Sequence, residues 1–137
     1  MVMLPERRLW QQLNGNLGRR WDAWPIETGI TGPGVSDVFI LNPIKYRGWL
    51  ELKVGSWGRD NIIKTRHFTL EQRSFLLSVH KAGMFAGLLL SFPEAKTFWL
   101  LTTPEAFRQC GELMAKQLDQ IATWHGNSAW GWFDAKI

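Results

Sequence analysis

Asp37, Glu51 and Lys53 are the residues whose types and spacing could do chemistry. Asp37 opens an apolar run, Val38-Phe39-Ile40-Leu41, and Glu51 and Lys53 lie in a second run from Trp49 to Val54. Side chains alternate faces along a strand, so Glu51 and Lys53 emerge together while Leu50, Leu52 and Val54 point the other way. If the two runs pair as neighbouring strands, Asp37 joins Glu51 at one end of the sheet. Two carboxylates and an ammonium then converge, which is what a divalent cation and a phosphodiester require.

Several elements must position this set. Residues 4–14 read as a helix, with Leu9, Trp10, Leu13 and Leu17 on one face and Glu6 on the same stripe. A carboxylate on a buried face needs a partner, because an unpaired charge there is costly. A first-turn glutamate after Pro5 is also what the helix dipole favours. Residues 21–28 are expected to form the first strand, in which Pro25, unable to donate to a ladder, marks an edge or a break. The glycine-rich stretch Gly29 to Gly34 lacks the Lys-Ser/Thr ending and the following helix of a phosphate-binding loop.

After Lys53 the sequence predicts a long polar loop reaching Phe68. Arg59, Lys64 and Arg66 in it could grip phosphates, and Trp57 could stack on a base. Thr69-x-x-Gln72 matches a capping box and starts a helix to about Ala82, with Gly83 as its stop. Gln72 is either a cap or, on the stripe of Leu76 and Val79, an amide facing Glu51 and Lys53. Met84 to Leu90 reads as a strand, turned at Phe92-Pro93-Glu94-Ala95 into a hairpin with Lys96 to Leu101. Thr103-Pro104-Glu105 starts a last helix, whose apolar stripe runs through Phe107, Cys110, Leu113, Met114, Leu118 and Ile121. Residues 122–137 form an aromatic-rich extension with Trp124, Trp130, Trp132 and Phe133, packed on its own domain or on a second subunit.

Asp37 followed by Glu51-x-Lys53 resembles the PD-(D/E)xK nuclease signature, with Val35-Ser36 in place of the nominal proline before the aspartate. The glycine-rich lead-in, the segment Phe68-Thr69-Leu70-Glu71-Gln72 and the strand after Gly83 add to the likeness, which covers roughly residues 4–101. Within that superfamily the chain looks most similar to virus-type replication-repair (VRR-NUC) nuclease domains and, more distantly, to Holliday-junction resolvases. The resemblance implies an α/β restriction-endonuclease-like core, a mixed sheet flanked by helices in the order α-β-β-β-α-β-β-α. It implies that Asp37, Glu51 and the Leu52 carbonyl hold Mg²⁺ or Mn²⁺, that Lys53 sits beside the attacking water, and that Gln72 and Glu6 belong to the catalytic set. Branched or four-way junction DNA as substrate, a homodimer, and a phage or mobile-element source also come from the resemblance.

Composition bounds the alternatives. At 137 residues the chain is expected to be one nuclease domain, large enough for a core without staples. Its single cysteine precludes an internal disulfide and fits a reducing, cytoplasmic setting. No apolar run approaches a membrane span. His67, His80 and His125 share no zinc-ligand spacing, and there is no Gly-x-Ser-x-Gly elbow. Residues 1–81 hold 12 Lys and Arg against 7 Asp and Glu, while residues 82–137 hold 4 against 5, so the positive charge gathers around the candidate site. The expected activity is metal-dependent, structure-selective DNA endonuclease cleavage. An exonuclease or nickase competes with it, as does a non-catalytic nucleic-acid-binding module on the same fold.

Overall fold

A computed structural model describes residues 4–18, 20–26, 37–42, 45–65 and 67–135, with Leu4 by its backbone alone. The glycine-rich lead-in and Arg66, both singled out above, lie outside the described residues. Helix α1 (Leu4–Asn16) precedes three antiparallel strands, β1 (Asp22–Pro25), β2 (Val38–Leu41) and β3 (Arg47–Trp57). A hairpin strand β4 (Ile62–Thr65) then leads to α2 (Leu70–Lys81) and to β5 (Phe85–Phe92), which returns parallel to β3. β6 (Thr97–Leu101), α3 (Pro104–Gln109), β7 (Glu112–Met114), α4 (Ala115–Ile121), β8 (Trp124–Gly126) and α5 (Gly131–Ala135) complete the order. The main sheet runs β1-β2-β3-β5-β6-β8, with β4 and β7 extending the far end of β3.

Two apolar layers sandwich this sheet. Leu9 and Leu13 of α1 cover Leu50, Leu52, Leu89 and Leu100 on one face. Leu76 and Val79 of α2 cover Leu88, Leu90 and Trp99 on the other, together with Phe107 and Leu118. The parallel pairing of β3 with β5 depends on Gly48, where an added Cβ would lie 1.7 Å from the Phe85 carbonyl oxygen. Gly83, at φ 82°, ends α2 as its sequence position predicts.

Two expectations are corrected. The polar loop after Lys53 is a β-hairpin, since β3 continues to Trp57 and pairs back through β4. Asp60 and Asn61, both at positive φ, make its tight turn. The helix expected through residues 104–121 breaks, with α3 ending at Gln109, β7 pairing with β4, and α4 starting at Ala115. The strand-pairing demand of the hairpin's open edge overrides helical periodicity there.

Of the C-terminal aromatics, Trp132 and Phe133 pack into their own domain, while Trp124 and Trp130 are half-buried against it. Trp132 stacks on Phe85 at 5.6 Å, and the Trp21 indole N–H donates to the Phe133 carbonyl at 2.8 Å. Phe133 is fully buried, so Phe133→Ala should lower stability by about 3–5 kcal/mol in denaturant unfolding. A change within experimental error would mean that this tail is not part of the core.

Candidate active site

The two edges of β3 differ. One is paired with β5 from Gly48 to Val54. The other pairs with β2 from Arg47 to Leu50 and with β4 from Gly55 to Trp57. Between these ladders the edge at Glu51–Val54 has no strand pair among the described residues, and the site lies in this notch. Val38 stands opposite Leu50, so Asp37, one step earlier, falls opposite Glu51. The Asp37 Oδ2 accepts the Leu52 N–H at 3.0 Å, taking the place of a ladder bond. In a strand the N–H and C=O of one residue leave on the same edge, so the Leu52 carbonyl also faces the notch.

At the other end of the notch, the register of β4 brings His67 opposite Lys53. The Lys53 Nζ donates to the His67 carbonyl at 2.9 Å and lies 3.4 Å from Glu51 Oε2 and 3.8 Å from Glu6 Oε1. Lys53 is only 3% exposed, and its long side chain is thereby held by three oxygens. His67 adopts φ 61°, a left-handed backbone that aims its carbonyl inward. Sequence reasoning missed this residue, because a main-chain carbonyl carries no sequence signature.

Glu51 is fully buried, and neither of its carboxylate oxygens has a hydrogen-bond partner among the described residues. The Lys53 ammonium approaches Oε2 without hydrogen-bond alignment. Burial, and then the neighbouring Asp37 carboxyl, push the Glu51 pKa up to about 10, with Lys53 pulling the other way. A carboxylate so placed invites a cation. Hard oxygens from Asp37, Glu51 and the Leu52 carbonyl fit Mg²⁺ or Mn²⁺. Among the described residues no three His, Cys, Asp or Glu side chains cluster as a metal cage, so water would have to complete the shell. Glu6 lies at the edge of this set, its Oε1 3.8 Å from the Lys53 ammonium. It reaches the centre through Lys53.

No protein-family model matches the chain, and no curated protein matches its sequence. Its fold is similar to that of Hjc, a Holliday junction resolvase from the archaeal hyperthermophile Archaeoglobus fulgidus. The TM-score is 0.58 at 14% sequence identity, over 96% of this chain and 99% of that one. The fold is restriction-endonuclease-like.

The remaining expected residues are arranged differently. Gln72 caps α2, its Oε1 accepting the Thr69 N–H at 3.0 Å while its own N–H donates to the Thr69 hydroxyl at 3.2 Å. The capping reading is therefore the one realised, and the side-chain oxygen does not turn to Glu51 or Lys53. Trp57 is 48% exposed and leans edge-on against Phe92. It shares the strand face of Glu51, six residues further on, or about 20 Å along an extended strand. Arg59 is exposed at the hairpin tip. Lys64 lies opposite Ser56, on the other face from Glu51, and its ammonium is 3.7 Å from Glu112. The hairpin residues thus stand at a distance from the carboxylates, with Trp57 and Lys64 on opposite faces.

Proposed function

We propose that this protein is a metal-dependent, structure-selective DNA endonuclease of the PD-(D/E)xK type, akin to VRR-NUC domains and junction resolvases, acting on branched or four-way DNA. The observation that carries this reading is the gathering of Asp37, Glu51 and Lys53 in the β3 notch, with both Glu51 oxygens buried and neither hydrogen-bonded among the described residues. The likeness of the whole chain to a resolvase fold supports the choice of substrate. A divalent cation held by Asp37, Glu51 and the Leu52 carbonyl would supply Lewis acidity toward a scissile phosphate and acidify a water.

The protein's own groups supply the rest. Asp37 is fixed by the Leu52 N–H, so its orientation does not depend on substrate. Lys53 can offer an N–H or a charge to the attacking water and to the phosphate, while Glu6 and the His67 carbonyl keep its ammonium in the notch. Symmetric cuts across a four-way junction need two such centres, and a homodimer would provide them.

Cleavage assays over linear duplex, single-strand, flap and four-way substrates, with and without Mg²⁺, test this reading. Mg²⁺-dependent internal cuts near a branch are the expected result. Release of terminal nucleotides would make the protein an exonuclease. Tight junction binding without turnover in Mg²⁺ or Mn²⁺ would make it a binding module.

The hairpin is expected to contact DNA flanking the cut. Arg59→Ala with Lys64→Ala should lower the log–log salt slope of duplex binding by up to about 1.8, from about 0.9 per phosphate neutralised. Because Lys64 already faces Glu112, the Arg59 share should be the larger. An unchanged slope would remove the hairpin from the DNA surface.

A further inference from the structure

On the face of the sheet opposite Glu51, a cleft of about 560 Å³ opens between α1 and the β5–β6 turn. Resting on the nuclease reading above, we propose that it receives one unstacked nucleotide of the bound DNA strand, base inside and phosphate at the rim. Its floor is a row across the sheet, since Val54 pairs with Ser91 and Ser91 with Phe98. Pro5, Arg8, Leu9 and Gln12 form one wall, at the spacing of a single helix face. Lys96, Asn127 and Trp130 close the other side.

The chemistry of the lining selects the ligand. Arg8 and Lys96 are exposed cations, and among the described residues no carboxylate lines the cleft and neither cation has an ion pair. The apolar floor asks for more than an inorganic anion. Gln12 and Asn127 each offer donors and an acceptor, the groups that read base edges. The Trp130 indole supplies a stacking surface. The volume lies within the roughly 300–1,000 Å³ typical of small-ligand sites.

Position links the cleft to the notch. Pro5 is next to Glu6 in α1, and Val54 follows Lys53 in β3. Because the cleft is on the face opposite Lys53, a strand whose phosphate sits at Lys53 would reach it past the unpaired edge of β3 at Glu51–Val54 and the first turn of α1, where Glu6 meets Lys53. Holding a base there would favour DNA already unstacked, as at a branch point, and so contribute structure selectivity.

The test is binding, in Ca²⁺, of four-way junctions carrying 2-aminopurine at successive positions around the branch. The wild type is compared with the double variant Arg8→Glu, Lys96→Glu, both at exposed rim positions, after thermal melting has shown both proteins equally folded. One labelled position should change its emission on binding to the wild type, and the double variant should abolish that change. In parallel, dAMP should shift the Trp130 indole N–H resonance, with affinity lowered at least about tenfold in the double variant. The proposal is overturned if no labelled base responds, or if the response survives charge reversal. A cleft that binds dAMP while no junction base responds would overturn it as well. If those negative results accompany normal junction cleavage, the cleft alone is wrong. If the wild type cuts no DNA in Mg²⁺ or Mn²⁺, the nuclease reading fails instead.

Discussion

Glu51→Gln is expected to abolish cleavage at saturating Mg²⁺ while making the metal-free protein more stable than the wild type at about pH 8. Asp37→Asn should abolish cleavage as well, since both changes keep shape and remove charge from the oxygens that face the notch. The stability effect follows from the sign of the Glu51 shift. In the unfolded chain the carboxyl ionises near its ordinary value of 4.5, whereas in the fold it stays protonated up to about 10. Its contribution is fully present below the lower value and is lost as pH rises toward the upper one. In EDTA, the wild-type melting temperature should therefore fall from mildly acidic to alkaline pH, and the glutamine variant should lose that component of the slope.

Mg²⁺ should reverse the ranking, raising the wild-type midpoint more than that of Glu51→Gln, with metal affinity rising with pH as the proton is displaced. Melting curves across pH with EDTA or Mg²⁺, beside a cleavage assay, check all of this. Wild-type cutting rates in either variant would place the metal elsewhere. Destabilisation of Glu51→Gln in EDTA would show that the carboxylate is satisfied in the fold without metal.

Lys53→Ala should lower the single-turnover cleavage rate by roughly 10²-fold or more, the lower range for general acid–base assistance. Junction affinity in Ca²⁺ should change little, because one contact among many phosphate contacts is a small share of binding. Lys53→Arg should not restore the rate. A guanidinium cannot act as a base near neutral pH, and its larger planar head does not fit between Glu6, Glu51 and the His67 carbonyl as a compact ammonium does. An active arginine variant would reduce the role of Lys53 to charge alone. Lost affinity with an unaltered single-turnover rate would remove it from the chemistry.

The elements that held from sequence to structure are those with strong local signals. The capping box at Thr69, the stop at Gly83 and the hairpin at Phe92–Ala95 each rest on residues close in the chain. So does the edge position of β1, where Pro25 forbids a second neighbour. The errors came where distant partners outweighed local pattern. Residues 55–57 and 62–65 fall in a stretch that reads as a polar loop, yet they form strands because each completes the other's hydrogen bonds and Ile63 buries into the core. Residues 112–114 leave their helical stripe because the open edge of β4 offers ladder bonds. The aromatic tail could not be assigned to its own domain until Trp21, Tyr46 and Phe85 were seen to surround it.

For the site, the sequence by itself determined that Glu51 and Lys53 share a face and that Asp37 can stand beside them, because strand alternation and antiparallel register are local geometry. It also put Glu6 on the buried stripe of α1. Only the tertiary structure decided that β2 and β4 leave a gap on one edge of β3, which is what exposes the Leu52 main chain to Asp37 and to a cation. It alone turned Glu6 toward Lys53, gave Gln72 to its helix cap, and brought the His67 carbonyl to the ammonium. Those outcomes depend on which strands diverge and where a turn closes, and such long-range choices are made by the packing of the whole chain rather than by any short run of residues.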